Sequence, residues 1–269
     1  MFDVGRLSPV RLVPALSRRM KEIPFMYSWF NSEKGKKLRD YYETSLKDRH
    51  KGERLFLIAN GPSINKTDLS LLKDEYTMCM NRFYIKFDDL EYTPNYLVCV
   101  ERYITGQFSE DFENLPCETF FGWEFNDTFT KSNFVKQTFS GNIFFQDDLT
   151  KPICYGGTVT FVCLQIAFYM GFEEVILVGL DHSFKEKGRA TKMEVRTYEK
   201  DESHFDPNYF PKGIIWKLPD LKKSEYSYVK ARAFYEKEGR RILDATIGGH
   251  CKNFDKVDYN SLFNRVVKL

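Results

Sequence analysis

Leu55-Phe-Leu-Ile-Ala-Asn60-Gly61-Pro62-Ser63 is an apolar run that stops abruptly in polar and turn-forming residues, with a helix-like segment after it. It reads as a first β-strand whose carboxyl end opens onto a ligand site, because open parallel sheets bind ligands beyond the carboxyl ends of their strands. Gly61 lets the backbone approach a phosphate or sugar closely. Pro62 fixes the turn, and Ser63 or the following Asn65 and Thr67 can cap a helix. Asn60 places an amide, both donor and acceptor, where a base or ribose can be read. A tight strand-to-helix turn with no ligand has a similar pattern, so the other strand ends must decide.

Downstream of Arg54 the pattern alternates. Strand-like runs are expected at Leu55–Ala59, Tyr76–Met80, Tyr96–Val100, Thr119–Gly122, Ile143–Phe145, Val175–Val178 and Arg241–Leu243. Helical patterns are expected at Lys66–Leu72, Tyr103–Asn114, Thr158–Met170 and Leu221–Glu238. Such alternation predicts an α/β fold with a parallel sheet covered on both faces. The run from Thr158 to Met170 is apolar nearly all round, which predicts a buried helix. Gly171 stops it, and Val175-Ile-Leu-Val-Gly179 follows as a central buried strand. Residues 185–219 are polar, aromatic and without a period, and a long irregular segment of this kind is more often a functional lid than filler.

Several expected strand ends carry polar residues suited to a site: Asn60-Gly61-Pro62-Ser63, Asn81-Arg82, Glu101-Arg102 and Gly179-Leu180-Asp181-His182. In a parallel sheet these share one rim. Any one of them can be a plain helix cap; their joint occurrence favours a site. Cys154-Tyr155-Gly156-Gly157-Thr158 precedes the buried helix. Free backbone N–H groups and the helix dipole there suit a phosphate, while close packing of helix on sheet requires glycine equally. His204, inside the lid segment, has the chemistry of a general base, and His182 follows Asp181 at a strand end. Trp216, Tyr209 and Phe210 are candidates for stacking against a sugar.

The formal net charge is +2 over 269 residues, which argues against a dedicated nucleic-acid binder. The charge is uneven: residues 1–54 carry about 13 basic against 7 acidic residues. Residues 1–53 are therefore expected as a basic, helical N-terminal extension ahead of a domain over 54–269 with its lid at 185–219. Apolar residues interleave with the basic ones, so the arm suits either peripheral contact with an anionic membrane or packing on its own domain or a second copy of the chain. The six cysteines form no C-x-x-C pair and read as buried thiols in a reducing compartment. With no spanning segment and no signal-peptide pattern, a cytoplasmic, at most membrane-peripheral, location is expected. There is no P-loop, G-x-G-x-x-G or H-E-x-x-H, and no Asp-x-Asp after a strand. Nothing in the sequence demands a metal.

Ile58-Ala-Asn-Gly-Pro-Ser63, Cys79-Met-Asn81-Arg-Phe-Tyr84, Gly156-Gly-Thr-Val159, Gly171 through Asp181 and Ser203-His204-Phe205 occur in that order. Over roughly residues 54–260 the set resembles the MptE-like family (formerly DUF115), which includes hydroxymethylpterin diphosphokinases and motility accessory factors. It also looks like the Campylobacter-type bacterial sialyltransferases. The resemblance implies a Rossmann-like domain with a lid, and metal-independent, inverting transfer from a CMP-activated nonulosonic acid to a glycan or glycolipid in surface polysaccharide assembly. It implies that Asn60 and Gly61 meet the nucleotide phosphate and ribose, and Pro62 and Ser63 of the same turn are expected in the binding site with them. Asn81 would meet the donor sugar or phosphate, and Gly157 and Thr158 the donor carboxylate or base, with Tyr155 and Gly156 expected in the binding site beside them. His204 aligns with a histidine neighbouring the family's base, and Asn208 with the base itself. His182-Ser183-Phe184 stands where the sialyltransferases carry tyrosines for the leaving phosphate. The alternative is pyrophosphate transfer from ATP with magnesium, with Asp181 helping to hold the metal. A non-catalytic nucleotide-binding partner in a glycosylation complex is a third reading.

Overall fold

The computed structural model describes residues 9–138, 142–184, 193–197 and 200–263. Its centre is a sheet of eight strands: β1 (Arg54–Ile58), β2 (Tyr76–Met80), β3 (Tyr96–Cys99), β4 (Glu118–Gly122), β5 (Asn133–Val135), β8 (Glu174–Val178), β11 (Arg241–Asp244) and β12 (Asp255–Lys256). Two minor pairs supply the remaining numbers, β6 (Gln137–Thr138) with β7 (Ile153–Cys154), and β9 (Met193–Val195) with β10 (Ile215–Lys217). Across the sheet the order is β12-β11-β8-β1-β2-β3-β4-β5, and every pairing is parallel. The chain winds from β1 outward to β5, then returns to lay β8 beside β1, Ile58 opposite Val178, before winding to the other edge. The order therefore reverses between β1 and β8, where the crevice of a doubly wound sheet opens. This is the expected α/β, Rossmann-like arrangement.

Leu55 to Ile58 and Val175 to Val178 are buried, as strands covered on both faces must be. Phe56 stacks on Phe263 and meets the edge of Tyr259. α5 (Val159–Tyr169) is buried along its whole length, and Thr158 caps it by accepting from the Thr160 N–H. α6 (Leu221–Lys237) packs beside it, with the Tyr235 hydroxyl donating to the Leu164 carbonyl at 2.8 Å.

Ile143–Phe145 is not a strand. Phe145 instead stacks on Phe234 and meets Phe161, Phe168 and Tyr235, so its apolar character serves an aromatic cluster over α5 and α6. Lys66–Leu72 forms two 3-10 turns, Pro62–Lys66 and Leu69–Leu72, not an α-helix. Tyr103–Asn114 is two short helices, α3 (Arg102–Gln107) and α4 (Ser109–Glu113). The strands absent from the sequence reading, such as β5 and β12, have only two or three residues, too few to show alternation.

The arm is helical, as α1 (Pro9–Asn31) and α2 (Glu33–Tyr41) with a π-helical turn over Tyr42–Leu46. From Trp29 onward it belongs to the core. Trp29 is fully buried, donates its Nε1–H to the Thr150 carbonyl at 3.0 Å and meets Trp123 edge-on. The Tyr42 hydroxyl donates to the Phe134 carbonyl and accepts from the Phe134 N–H. Farther back, Met20, Ile23 and Tyr27 are exposed. No helix among the described residues is long and apolar enough to cross a membrane. All six cysteines are free, five of them buried.

Residues 185–192 and 198–199 of the expected lid lie outside the described residues. The rest is less irregular than its composition suggested, because β9 and β10 pair antiparallel as a hairpin. Gln107 of α3 anchors it: Nε2–H donates to the Ile215 carbonyl at 2.8 Å and Oε1 accepts from the Ile215 N–H at 2.9 Å.

Candidate functional site at the sheet's switch point

Parallel pairing puts the carboxyl ends of β1, β2, β3 and β8 on one rim, and the side chains there divide into packed and unsatisfied ones. At the end of β8, Asp181 turns toward Ser63. Its carboxylate accepts the Ser63 hydroxyl at 2.5 Å and the Ser63 backbone N–H at 3.2 Å, capping the 3-10 turn that Pro62 begins. A Cβ on Gly61 would overlap this carboxylate and come within 2.7 Å of the Gly179 carbonyl. The close approach that Gly61 permits is thus to Asp181, and a ligand phosphate is not what requires the glycine. Pro62 and Ser63 likewise serve the turn.

Asn60 differs. It is buried, and its Nδ2–H donates to the Met80 carbonyl at the end of β2, 3.1 Å away, while its Oδ1 is buried without a partner among the described residues. Asn81, one residue past β2, also has a buried Oδ1 without a partner among the described residues. A buried, unmade hydrogen bond costs about 1–3 kcal/mol, so each of these oxygens is an open acceptor at a strand end. Asn81 and His182 both have a φ of 52°, the left-handed region, at the first residue after β2 and near the end of β8. Such conformations persist where surrounding structure holds them and cluster at sites.

The lid docks on these same ends. The Phe205 N–H donates to the Asn60 carbonyl at 2.9 Å, and Asn65 Nδ2–H donates to the Phe205 carbonyl at 2.6 Å. Arg82 is the second tie: its guanidinium donates to the carbonyls of Asn208 and Tyr209 and lies 3.8 Å over the Phe108 ring. It holds the lid and is not presented to a phosphate. His204 is thereby carried to the end of β1. Its Nδ1 lies 2.9 and 3.0 Å from the two carboxylate oxygens of Asp201, whose side chain is fully buried beside Arg196. Asn208, aligned with the base by family resemblance, is exposed and holds no imidazole. Tyr209, Phe210 and Trp216 are buried packing residues and show no ring face to a sugar; Tyr209 is stacked on His204 itself at 4.1 Å.

The remaining candidates lie round the amino end of α5. Thr160 Oγ1 meets Met80 Sδ at 3.7 Å, so this end and Asn60 share the same methionine and the same rim. Gly156 and Gly157 have φ of 63° and 90°, and Cβ atoms there would strike Phe161, Ser227 and Lys223. Here the glycines are explained by packing against α6: Ser227 Oγ–H donates to the Gly156 carbonyl at 2.6 Å. Burial pushes the Tyr155 hydroxyl up, with Glu101 nearby adding to it. His182 Nε2 sits 3.2 Å from Glu225 Oε1, and its ring lies 5.8 Å from Tyr228. Glu101 caps α3 by accepting from the Tyr103 and Ile104 N–H groups. A concavity of about 670 Å³ opens beside Gly157, lined by Asn142, Asp220, Lys223 and Tyr226 among others, and not at Asn60.

Asp201 and Arg196 carried no role in the sequence pattern, whereas Arg82 was expected at a strand-end site and instead ties the 205–209 segment down. The only local signal was Asp201-Glu-Ser-His204, a carboxylate one turn before an imidazole. No group of three or more His, Cys, Asp or Glu side chains among the described residues is placed to hold a metal ion.

A family model described as 6-hydroxymethylpterin diphosphokinase MptE-like matches residues 31–187. Among solved structures, the chain is similar to the MAf glycosyltransferase from Magnetospirillum magneticum AMB-1, with a TM-score of 0.50 and 14% identity, over 94% of this chain and 43% of that one. The chain thus spans less than half the length of that protein, and at this identity the likeness is one of fold. No curated protein matches.

Proposed function

The chain belongs to the MptE-like family, and from that premise we propose that it is a glycosyltransferase that binds a nucleotide sugar across the ends of β1, β2 and α5. The observation that carries this reading is the Phe205–Asn60 backbone hydrogen bond of 2.9 Å, which ties the residue following a carboxylate-paired imidazole to the switch-point residue whose buried amide oxygen has no partner among the described residues. The Magnetospirillum fold relative, a glycosyltransferase by name, supports the same class.

Amide oxygens only accept, and the Asn60 amide nitrogen is already engaged by Met80. The open Oδ1 atoms of Asn60 and Asn81 therefore suit sugar or ribose hydroxyls or an exocyclic amine. The phosphate falls to the amino end of α5, where the helix dipole and first-turn N–H groups favour negative charge. In the reaction an acceptor hydroxyl oxygen attacks the anomeric carbon and forms the new C–O bond. His204 Nε2 takes the hydroxyl proton, and the bond to the donor phosphate breaks with its electron pair on the phosphate. A CMP-activated nonulosonic acid is the proposed donor and a glycan or glycolipid the proposed acceptor, on the resemblance to sialyltransferases. His182, paired with Glu225, is assigned to the leaving-group side.

Calorimetry with CMP, a panel of nucleotide sugars and Mg-ATP tests the proposal. CMP or nucleotide-sugar binding that weakens at least tenfold in Asn60→Ala supports it; no binding of any nucleotide sugar sinks it. The family's description favours a second reading, pyrophosphate transfer to a pterin-like acceptor. The residues present do not fit a protein-held magnesium for it, since no group of three or more His, Cys, Asp or Glu side chains among the described residues is placed around Asp181 or elsewhere to hold one. Magnesium-dependent ATP binding with CMP ignored selects that reading.

A further inference from the structure

Asp201 has no part in the transfer step as written. Its side chain is fully buried, an expensive place for a carboxylate without partners. The partners are present. The backbone N–H groups of Ser203 and His204 donate to Oδ1 at 2.9 and 3.1 Å, Arg196 Nη1 lies 3.3 Å from Oδ2, and the His204 Nδ1 faces both oxygens. Burial alone would raise this carboxyl. Hydrogen bonding and the charge of His204, followed by the Ser203 N–H and the charge of Arg196, outweigh burial and hold it below the ordinary carboxylate range.

An ionised carboxylate can only accept, so the Nδ1 facing it must carry a proton. The other ring nitrogen makes no hydrogen bond among the described residues. The ring plane is fixed as well: it stacks on Tyr209 at 4.1 Å with 7° between the planes, and the Tyr209 hydroxyl accepts the Arg82 N–H at 3.2 Å.

We propose that Asp201 is the positioning residue of His204: its buried carboxylate keeps the proton on Nδ1 and so reserves Nε2 as the nitrogen that takes the acceptor proton. As the proton arrives at Nε2 the imidazole becomes a cation, and Asp201 stabilises it without itself being protonated. The assignment rests on the transferase reading for the proton's destination, but the tautomer is a property of the free protein.

The test is 15N spectroscopy of the histidine side chains in the full chain at a pH where the imidazoles are neutral. His204 is assigned by the loss of its signals in His204→Gln. The expected result is a protonated Nδ1 and an unprotonated Nε2. In Asp201→Asn, the two backbone N–H groups retain the amide oxygen at the Oδ1 position, the amide N–H₂ takes the Oδ2 position 2.9 Å from Nδ1, and the proton is expected on Nε2. A His204 with unprotonated Nδ1 in the wild type overturns the proposal, as does a tautomer unchanged in Asp201→Asn. If Asp201→Asn fails to fold, the wild-type spectrum decides alone. Absence of nucleotide binding by calorimetry would remove the transferase reading while leaving the tautomer result standing. Where a donor turns over, Asp201→Asn is expected to cost about a hundredfold or more in kcat with little change in KM.

Discussion

The Phe205 N–H donates to the Asn60 carbonyl across 2.9 Å, although the two residues are far apart in the chain. With it, the lid becomes an extra wall on the end of β1, and the imidazole next to Phe205 arrives at the strand end that the sequence marks first. Asn65 supports the same joint from the other side, through its bond to the Phe205 carbonyl.

Asn65→Ala is expected to loosen this joint without unfolding the sheet. One side-chain hydrogen bond is worth about 0.5–1.5 kcal/mol, so global stability should fall by no more than that. Hydrogen exchange at the Phe205 amide should speed up about three- to tenfold. Unchanged exchange would show that the lid is held elsewhere.

Gly61→Ala pushes a methyl group into the Asp181 carboxylate and the Gly179 carbonyl. Because one of the obstructing atoms is backbone, the site cannot relax cheaply, and a loss of about 1–3 kcal/mol in chemical denaturation is expected. Ser63→Ala removes the hydroxyl that Asp181 accepts and should cost about 1.5–3 kcal/mol by the same measurement. Losses under about 0.5 kcal/mol in both would mean that Asp181 turns elsewhere in solution.

His50 connects stability to pH. Burial first, and then the charge of Arg49, push its imidazole down to about 4. A free histidine titrates near about 6.5, so the unfolded chain binds this proton more readily than the native one. The stabilisation is therefore complete above about pH 6.5, is lost as pH falls toward 4, and changes no further below. His50→Phe preserves the stacking on Phe172 and removes the titration. The wild-type melting temperature should approach or drop below that of the variant between pH 6.5 and 4, relative to their gap at pH 7.5. Parallel melting curves throughout would contradict this.

Trp29→Ala tests whether the arm belongs to the core. The indole is fully buried, bonded to Thr150 and packed on Trp123, so a loss of about 3–5 kcal/mol is expected in denaturant unfolding. A mild loss, with the rest of the chain melting as before, would make the arm a separate extension.

Particular residues show what sequence pattern can carry. Leu55 to Ile58 and Val175 to Val178 are β-rich, apolar and bounded by glycine, and both proved to be central parallel strands. The ends of those strands were legible for the same reason. Their roles were not. Gly61, Gly156 and Gly157 advertise close approach, yet only coordinates tell whether a ligand or a side chain approaches, and here Asp181, Phe161, Ser227 and Lys223 do. The aromatic residues of the lid could be read as sugar platforms or as packing, because ring chemistry is the same for both.

Local pattern alone determined the alternating α/β order, the buried α5 and the polar tips of the inner strands, since each depends on neighbours a few residues away and on periodicity. Which tips stay unsatisfied was decided only by tertiary structure. Asp181 finds Ser63 across 118 positions, Phe205 finds Asn60, and Asn60 Oδ1 finds no partner among the described residues. Hydrogen bonding is settled by geometry between distant segments, and no spacing along the chain encodes it.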